Sequence, residues 1–138
     1  MKGYLLDSNA CIAWMKNNQP IVKRILQAGE GCVWICAPVK AELWFGACNS
    51  QRIENNQALL LRFFADVPSL PFDDRAAQAC GEIRAQLKRL GMPIGPYDLQ
   101  IAAIARVHGL TLVTHNTREF CRVPKLVVED WQMMENDQ

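Results

Sequence analysis

Short apolar runs and helical stripes take turns along this sequence. Residues 3–6 form a brief apolar run, and Asp7, Ser8 and Asn9 behind it are a helix-opening cluster that leads into an amphipathic stretch ending at Lys16. Pro20 starts a second helix through Ile21, Arg24, Ile25 and Ala28, with Gly29 as its stop. Residues 32–36 read as a strand, Pro38 opens a helix that reaches about Cys48, and residues 53–67 make a dense apolar helix. After an extended piece at 69–72, Asp73 or Asp74 caps a long helix whose apolar line is Ala76, Cys80, Ile83, Leu87 and Leu90, ended by Gly91. A loop rich in Pro and Gly then gives way to a helix from Asp98 to His108, closed by Gly109, and to strands at 110–114 and 126–128. Runs such as 110–113 look buried on both faces, as parallel strands between helix layers are. The pattern predicts an α/β chain: a three-layer α/β/α sandwich with a mainly parallel sheet, all of residues 1–138 forming one domain.

Composition adds limits. Half of the 138 residues are hydrophobic and 21% are charged, ordinary for a chain with a proper core. A formal net charge of +1 excludes coating nucleic acid by bulk charge, so any such contact must come from a local basic patch. No apolar run has the length of a membrane span, and the apolar stretch before Asp7 is too short for a signal peptide. A cytoplasmic protein without membrane contact is the expectation, and its six cysteines are then reduced thiols. Cys32 and Cys36 lack the companion pair of a zinc site.

Four polar residues stand out. Asp7 follows the first strand and Asn116 follows the strand at 110–114, the edge at which parallel sheets bind ligands; a helix cap and a turn residue account for them equally well. The helix around Glu42 carries Val39, Leu43, Trp44, Phe45 and Ala47 on all sides, which predicts a buried helix and a costly buried carboxylate, unless a basic partner or a sheet-edge position relieves it. Asp98 begins another largely apolar helix, where capping is the alternative. If Asp7, Glu42 and Asp98 converge, two charges about 4 Å apart repel by roughly 4 kcal/mol at an effective dielectric near 20, and a cation or retained protons must offset it. Three carboxylates without His or Cys suit Mg²⁺, with Mn²⁺ able to substitute.

These stretches resemble a known family. Leu5-Leu6-Asp7-Ser8-Asn9, Val39-Lys40-Ala41-Glu42-Leu43 with Gly46, Pro93-Ile94-Gly95-Pro96-Tyr97-Asp98 and Leu112-Val113-Thr114-His115-Asn116-Thr117-Arg118-Glu119-Phe120 fall in the order and spacing of the PIN-domain ribonucleases, specifically VapC-type toxins. The ending Glu129-Asp130-Trp131 resembles the enterobacterial VapC proteins. The resemblance implies a PIN fold and a Mg²⁺-dependent endoribonuclease with Asp7, Glu42 and Asp98 as the metal-binding catalytic acids. It places Asn116 where many PIN domains carry a fourth acid, with Glu119 as a possible substitute, and Ser8, Asn9 and Thr114 as residues that orient the acids or a bound water. The implied chemistry is in-line attack of a metal-activated water on a phosphodiester of structured RNA, a tRNA stem-loop fitting this branch. Lys40, Arg84, Lys88, Arg89, Arg118 and Arg122 are candidate RNA contacts, although a solvated helix face explains Arg84 and Lys88 as well.

The resemblance further implies a homodimer neutralised by a cognate antitoxin, with operator DNA reached only through that antitoxin. The segment Leu59-Leu60-Leu61-Arg62-Phe63-Phe64, with Trp14, Trp34 and Trp44, is first of all core; any exposed remainder suits a dimer contact or an antitoxin helix. Two alternatives share the fold: a housekeeping RNA-processing PIN nuclease, and a noncatalytic RNA-binding PIN domain, against which the intact acids count. His108 reads as structural, and His115 lies near the proposed site.

Overall fold

A computed structural model describes residues 3–132. The elements run β1 (Tyr4–Leu6), α1 (Ser8–Met15), α2 (Gln19–Ala28), a 3₁₀ turn (Glu30–Cys32), β2 (Val33–Cys36), α3 (Ala37–Cys48), α4 (Ile53–Asp66), β3 (Ser69–Leu70), α5 (Asp74–Arg89), α6 (Pro96–His108), β4 (Thr111–Val113), α7 (Thr117–Phe120) and β5 (Val128–Glu129). The five strands make one sheet in the order β3-β2-β1-β4-β5, and every pairing is parallel. The sequence pattern finds each strand to within a few residues; the extended piece at 69–72 is the sheet's edge strand β3, and the four-residue α7 is an element the pattern misses.

Successive strand residues point to opposite faces, so consecutive buried residues report cover on both sides. Leu5 and Leu6, Ile35 and Cys36, and Leu112 and Val113 are such pairs, each residue at most 1% exposed. At roughly 1.5–3 kcal/mol for each large side chain taken out of water, these central strands anchor the core. In α6 residues 101–105 are all buried, and alanine on three of those five positions lets the helix be enclosed on every side. Gly109 ends α6 with a left-handed φ of 64°, the conformation that turns the chain directly into β4 and that other residues adopt only with strain. Trp131, 2% exposed, packs 4.8 Å from the Tyr4 ring and so ties the stretch after β5 to β1. Among the described residues no helix is long and apolar enough to cross a membrane, and the six cysteines are free thiols.

Connections from β1 lead to β2 and β3 on one side, and the chain then crosses to β4 and β5 on the other. The strand order therefore reverses between β1 and β4, and their carboxyl ends diverge into a crevice.

Candidate active site

Asp7 stands at that crevice, one residue beyond β1. Its backbone N–H donates to the Val113 carbonyl at 3.1 Å, and its Oδ1 accepts the Ala10 N–H at 2.8 Å, so the capping role open in the sequence is real. Capping occupies one carboxylate oxygen and fixes the group at the crevice, only 6% exposed. Burial pushes the Asp7 carboxyl above its ordinary range; the Thr114 hydroxyl and the Ala10 N–H oppose that rise, and the charges of Glu42 and Asp130 add to it. Thr114, itself buried, also accepts the Asn116 backbone N–H at 2.9 Å and so shapes the turn after β4.

Asp98 is the third residue of α6, not its first. Gly95 occupies the cap position, no side chain caps this end, and Pro96 starts the helix. Capping therefore does not explain Asp98. Its carboxyl is pushed up to about 6, first by burial and then by the charges of Glu119, Glu42 and Asp7. Glu119 is the better stabilised of the neighbouring pair: its carboxylate accepts the Asn116 side-chain amide at 2.8 Å and the Gly95 N–H at 3.2 Å, which hold its pKa below the usual range. Asn116 thus spends its NH₂ on Glu119, and its carbonyl oxygen stays available.

Glu42 corrects the sequence reading. Its helix is not buried all round: Val39, Leu43 and Ala47, four apart, face the core, while Ala41, Glu42, Trp44 and Phe45 are exposed. Glu42 escapes the cost of burial by sitting on the rim, where it still raises the pKa values of Asp7 and Asp98. Periodicity could not reveal this, because apolar residues on an outward face look like core residues in sequence.

Asp7, Ser8, Asn9, Glu42, Asp98 and Asn116 line one cavity of about 130 Å³, floored by Ile101 and Phe120. The acids meet in the same hollow, although as the side chains stand no three described His, Cys, Asp or Glu residues close tightly enough to hold an ion. The donors suit a hard divalent cation: three carboxylates, two amides and a hydroxyl, with no thiol or imidazole among the described lining residues. Ser8 Oγ is buried with no hydrogen-bond partner among the described residues, a polar atom that an ion's water shell would satisfy. Glu119 lies outside this lining and acts through Asp98, Asn116 and Gly95.

None of Lys40, Arg84, Lys88 and Arg118 lines the cavity. Lys40 places its ammonium 5.0 Å from the centre of the Phe64 ring, Arg84 and Lys88 are exposed on α5, and Arg118 is exposed on α7, two residues from Asn116. Arg122 donates to the Pro93 carbonyl at 3.1 Å and pulls the loop before Asp98 toward α7. Two contacts that sequence reasoning missed, Glu119 with Gly95 and Arg122 with Pro93, join segments 24 and 29 residues apart and have no local signature.

A wider groove of about 530 Å³ opens from the same rim. Ser8 and Glu42 border it at the acid end, and Ile12, Met15, Leu43, Ala47, Leu59 and Leu60 of α1, α3 and α4 supply its walls. On the same two helices, α3 and α4, Phe45 is 68% and Leu61 60% exposed. The apolar surplus is therefore partly surface, more than solitary exposed residues would account for.

Residues 4–126 match the family model described as the PIN domain. The tRNA(fMet)-specific endonuclease VapC of Shigella flexneri is 42% identical over 131 residues, covering 95% of this chain and 99% of its own length. Ribonuclease VapC2 of Rickettsia felis is 34% identical over 130 residues, covering 93% and 97%. Among solved structures, the DNA-bound VapBC of Salmonella typhimurium superposes with a TM-score of 0.88 at 39% identity, covering 95% of this chain and 99% of that one. With the acid-lined crevice at the same end of a parallel sheet, the chain belongs to the PIN-domain family, within its VapC branch of ribonucleases.

Proposed function

We propose that this protein is a Mg²⁺-dependent endoribonuclease that hydrolyses a phosphodiester of structured RNA of the tRNA class, and that it is the toxin of a toxin–antitoxin pair acting in the cytoplasm. The observation that carries the reading is the convergence of Asp7, Glu42 and Asp98, residues remote in the chain, on one small cavity where the strand order reverses. Asp7, Glu42 and Asp98 would hold the ion, with Asn116 contributing its carbonyl oxygen; Mn²⁺ would fit the same oxygens. When bound, the ion supplies neutralising charge and polarises the phosphoryl oxygens and a water. The protein's own part is positional. The α1 cap holds the Asp7 carboxylate in one orientation, and Asp98 is kept at the mouth of the cavity by the rigid start of α6. Glu119, charged and bonded to Gly95 and Asn116, keeps that loop and the turn after β4 in register. Burial and the charges of Glu119, Glu42 and Asp7 make the Asp98 carboxyl hold its proton more tightly than an ordinary one, a strain that a bound cation would relieve.

The groove running from Glu42 and Ser8 suits an amphipathic segment of a cognate antitoxin, whose binding there would also cover the acids; the Salmonella relative in its VapBC structure supports such a partner. The exposed apolar side chains of α3 and α4 suit a second copy, and operator DNA would be reached through the antitoxin alone. The direct test incubates purified protein with total tRNA, with and without Mg²⁺, beside Asp7→Asn. Cleavage only by the wild type with metal is the expected result; equal cutting by both proteins refutes the assignment, and no cutting with intact RNA binding favours the noncatalytic alternative.

A further inference from the structure

A second cavity, of about 420 Å³, adjoins the acid pocket; Asn9 lines both. Its other walls come from Ile12 and Lys16 of α1 and its end, Asn18 before α2, His115 after β4, and Gln132. We propose that this cavity seats the base of a nucleotide flanking the scissile phosphate and sets the enzyme's base preference at that position. The proposal rests on the ribonuclease reading.

The walls are held for recognition. Asp130, whose side chain is 12% exposed, takes His115 Nδ1 at 2.9 Å on Oδ2 and the Gln132 backbone N–H at 2.9 Å on Oδ1. One carboxylate thus pins two walls that belong to different segments. Pairing Nδ1 with Asp130 fixes the ring's orientation and leaves Nε2 free to meet a ligand on a side chain that is 62% exposed. Gln132 Nε2 is buried without a partner among the described residues, a donor that a base carbonyl or ring nitrogen would satisfy. Asn18 spends its Oδ1 on the Ile21 N–H at the α2 cap, which leaves its NH₂ as a second donor.

Two amide donors and an imidazole nitrogen, held in fixed positions around an apolar wall, match the polar edge and flat face of a base. Lys16 is the one cation among the described lining residues and suits the phosphate that accompanies the base. Ile12, 37% exposed, gives an apolar wall for the base's flat face. Because the cavity abuts the acids across a single residue, its occupant would be a nucleotide immediately beside the bond being cut.

The test maps the wild-type cut in total tRNA. RNA hairpins are then built with each of the four bases at the flanking positions, and kcat and KM are measured with Mg²⁺ for wild type, His115→Ala, Gln132→Ala and Lys16→Ala. Binding of the same labelled hairpins is followed by anisotropy in EDTA. His115→Gln, which keeps a polar side chain, and melting curves guard against misfolding. The wild type should prefer one base at that position by about tenfold. His115→Ala and Gln132→Ala should cut that preference below about twofold and weaken hairpin binding about tenfold, with kcat at saturating RNA within about twofold. Unchanged preference and affinity overturn the proposal, as does a parallel loss of kcat on all hairpins. Wild-type protein that neither binds nor cuts RNA overturns the ribonuclease reading itself, and the subsite with it.

Discussion

Replacing Asp98 by Asn should stabilise the metal-free protein while removing its activity. The carboxyl that titrates near 6 in the folded chain has an ordinary value of 3.8, because ionising it there means desolvating a charge beside Glu119, Glu42 and Asp7. Below about pH 3 the group is protonated whether folded or unfolded, and Asp98 costs nothing. As pH rises from about 4 to about 6 the unfolded chain releases a proton that the folded state still holds, so stability falls across that window and the loss is complete above it. Each pKa unit corresponds to about 1.4 kcal/mol, which sets a ceiling of about 3 kcal/mol; partial exposure and screening reduce this to about 1–2 kcal/mol. Asn keeps the shape and cannot ionise. In EDTA at pH 8, Asp98→Asn should therefore melt about 3–8 °C above the wild type, with the gap closing toward pH 4. Adding Mg²⁺ should raise the wild-type midpoint and leave the variant's nearly unchanged, while RNA cleavage by the variant falls at least about 100-fold. Thermal melts at several pH values, with and without metal, measure all of this. A variant that melts below the wild type at pH 8 in EDTA would refute the electrostatic account of the site.

Three further outcomes follow from the same geometry. Asp7→Asn retains an N-cap oxygen for Ala10 and should lose cleavage with little loss of stability, whereas Asp7→Ala should lose cleavage and about 1 kcal/mol as well, separable by urea denaturation. Mg²⁺ affinity, measured by calorimetry, should weaken as pH falls through about 6, because the ion must displace the Asp98 proton; affinity that is flat from pH 5 to 8 would contradict this. Phe45→Ala removes a largely exposed ring, so its midpoint should shift by no more than a few degrees while self-association or antitoxin binding weakens at least about fivefold by analytical ultracentrifugation or calorimetry.

Much of this architecture can be read from residue order. The central strands and the long helices announce themselves through apolar runs, period and Pro, Gly and Asp at their ends, β3 shows only as an extended piece, and the all-apolar stretch at 101–105 is in fact enclosed. The neighbouring inference about α3 fails on the same kind of evidence, since Trp44 and Phe45 are as apolar as core residues yet face outward. Hydrophobicity reports what avoids water, not whether the cover comes from the same chain. The three acids are legible through their motifs, whereas the grip of Glu119 on Gly95 and of Asp130 on His115 depends on tertiary approach between segments that carry no pattern of their own.

The outermost strands, β3 and β5, are two residues each. So short a margin offers hardly any free main-chain ladder on which a foreign strand could continue the sheet. A partner is then left with the side chains of helices and loops, and partner choice can evolve at the exposed positions of α4 without disturbing Asp7 after β1, Glu42 on α3 or Asp98 on α6.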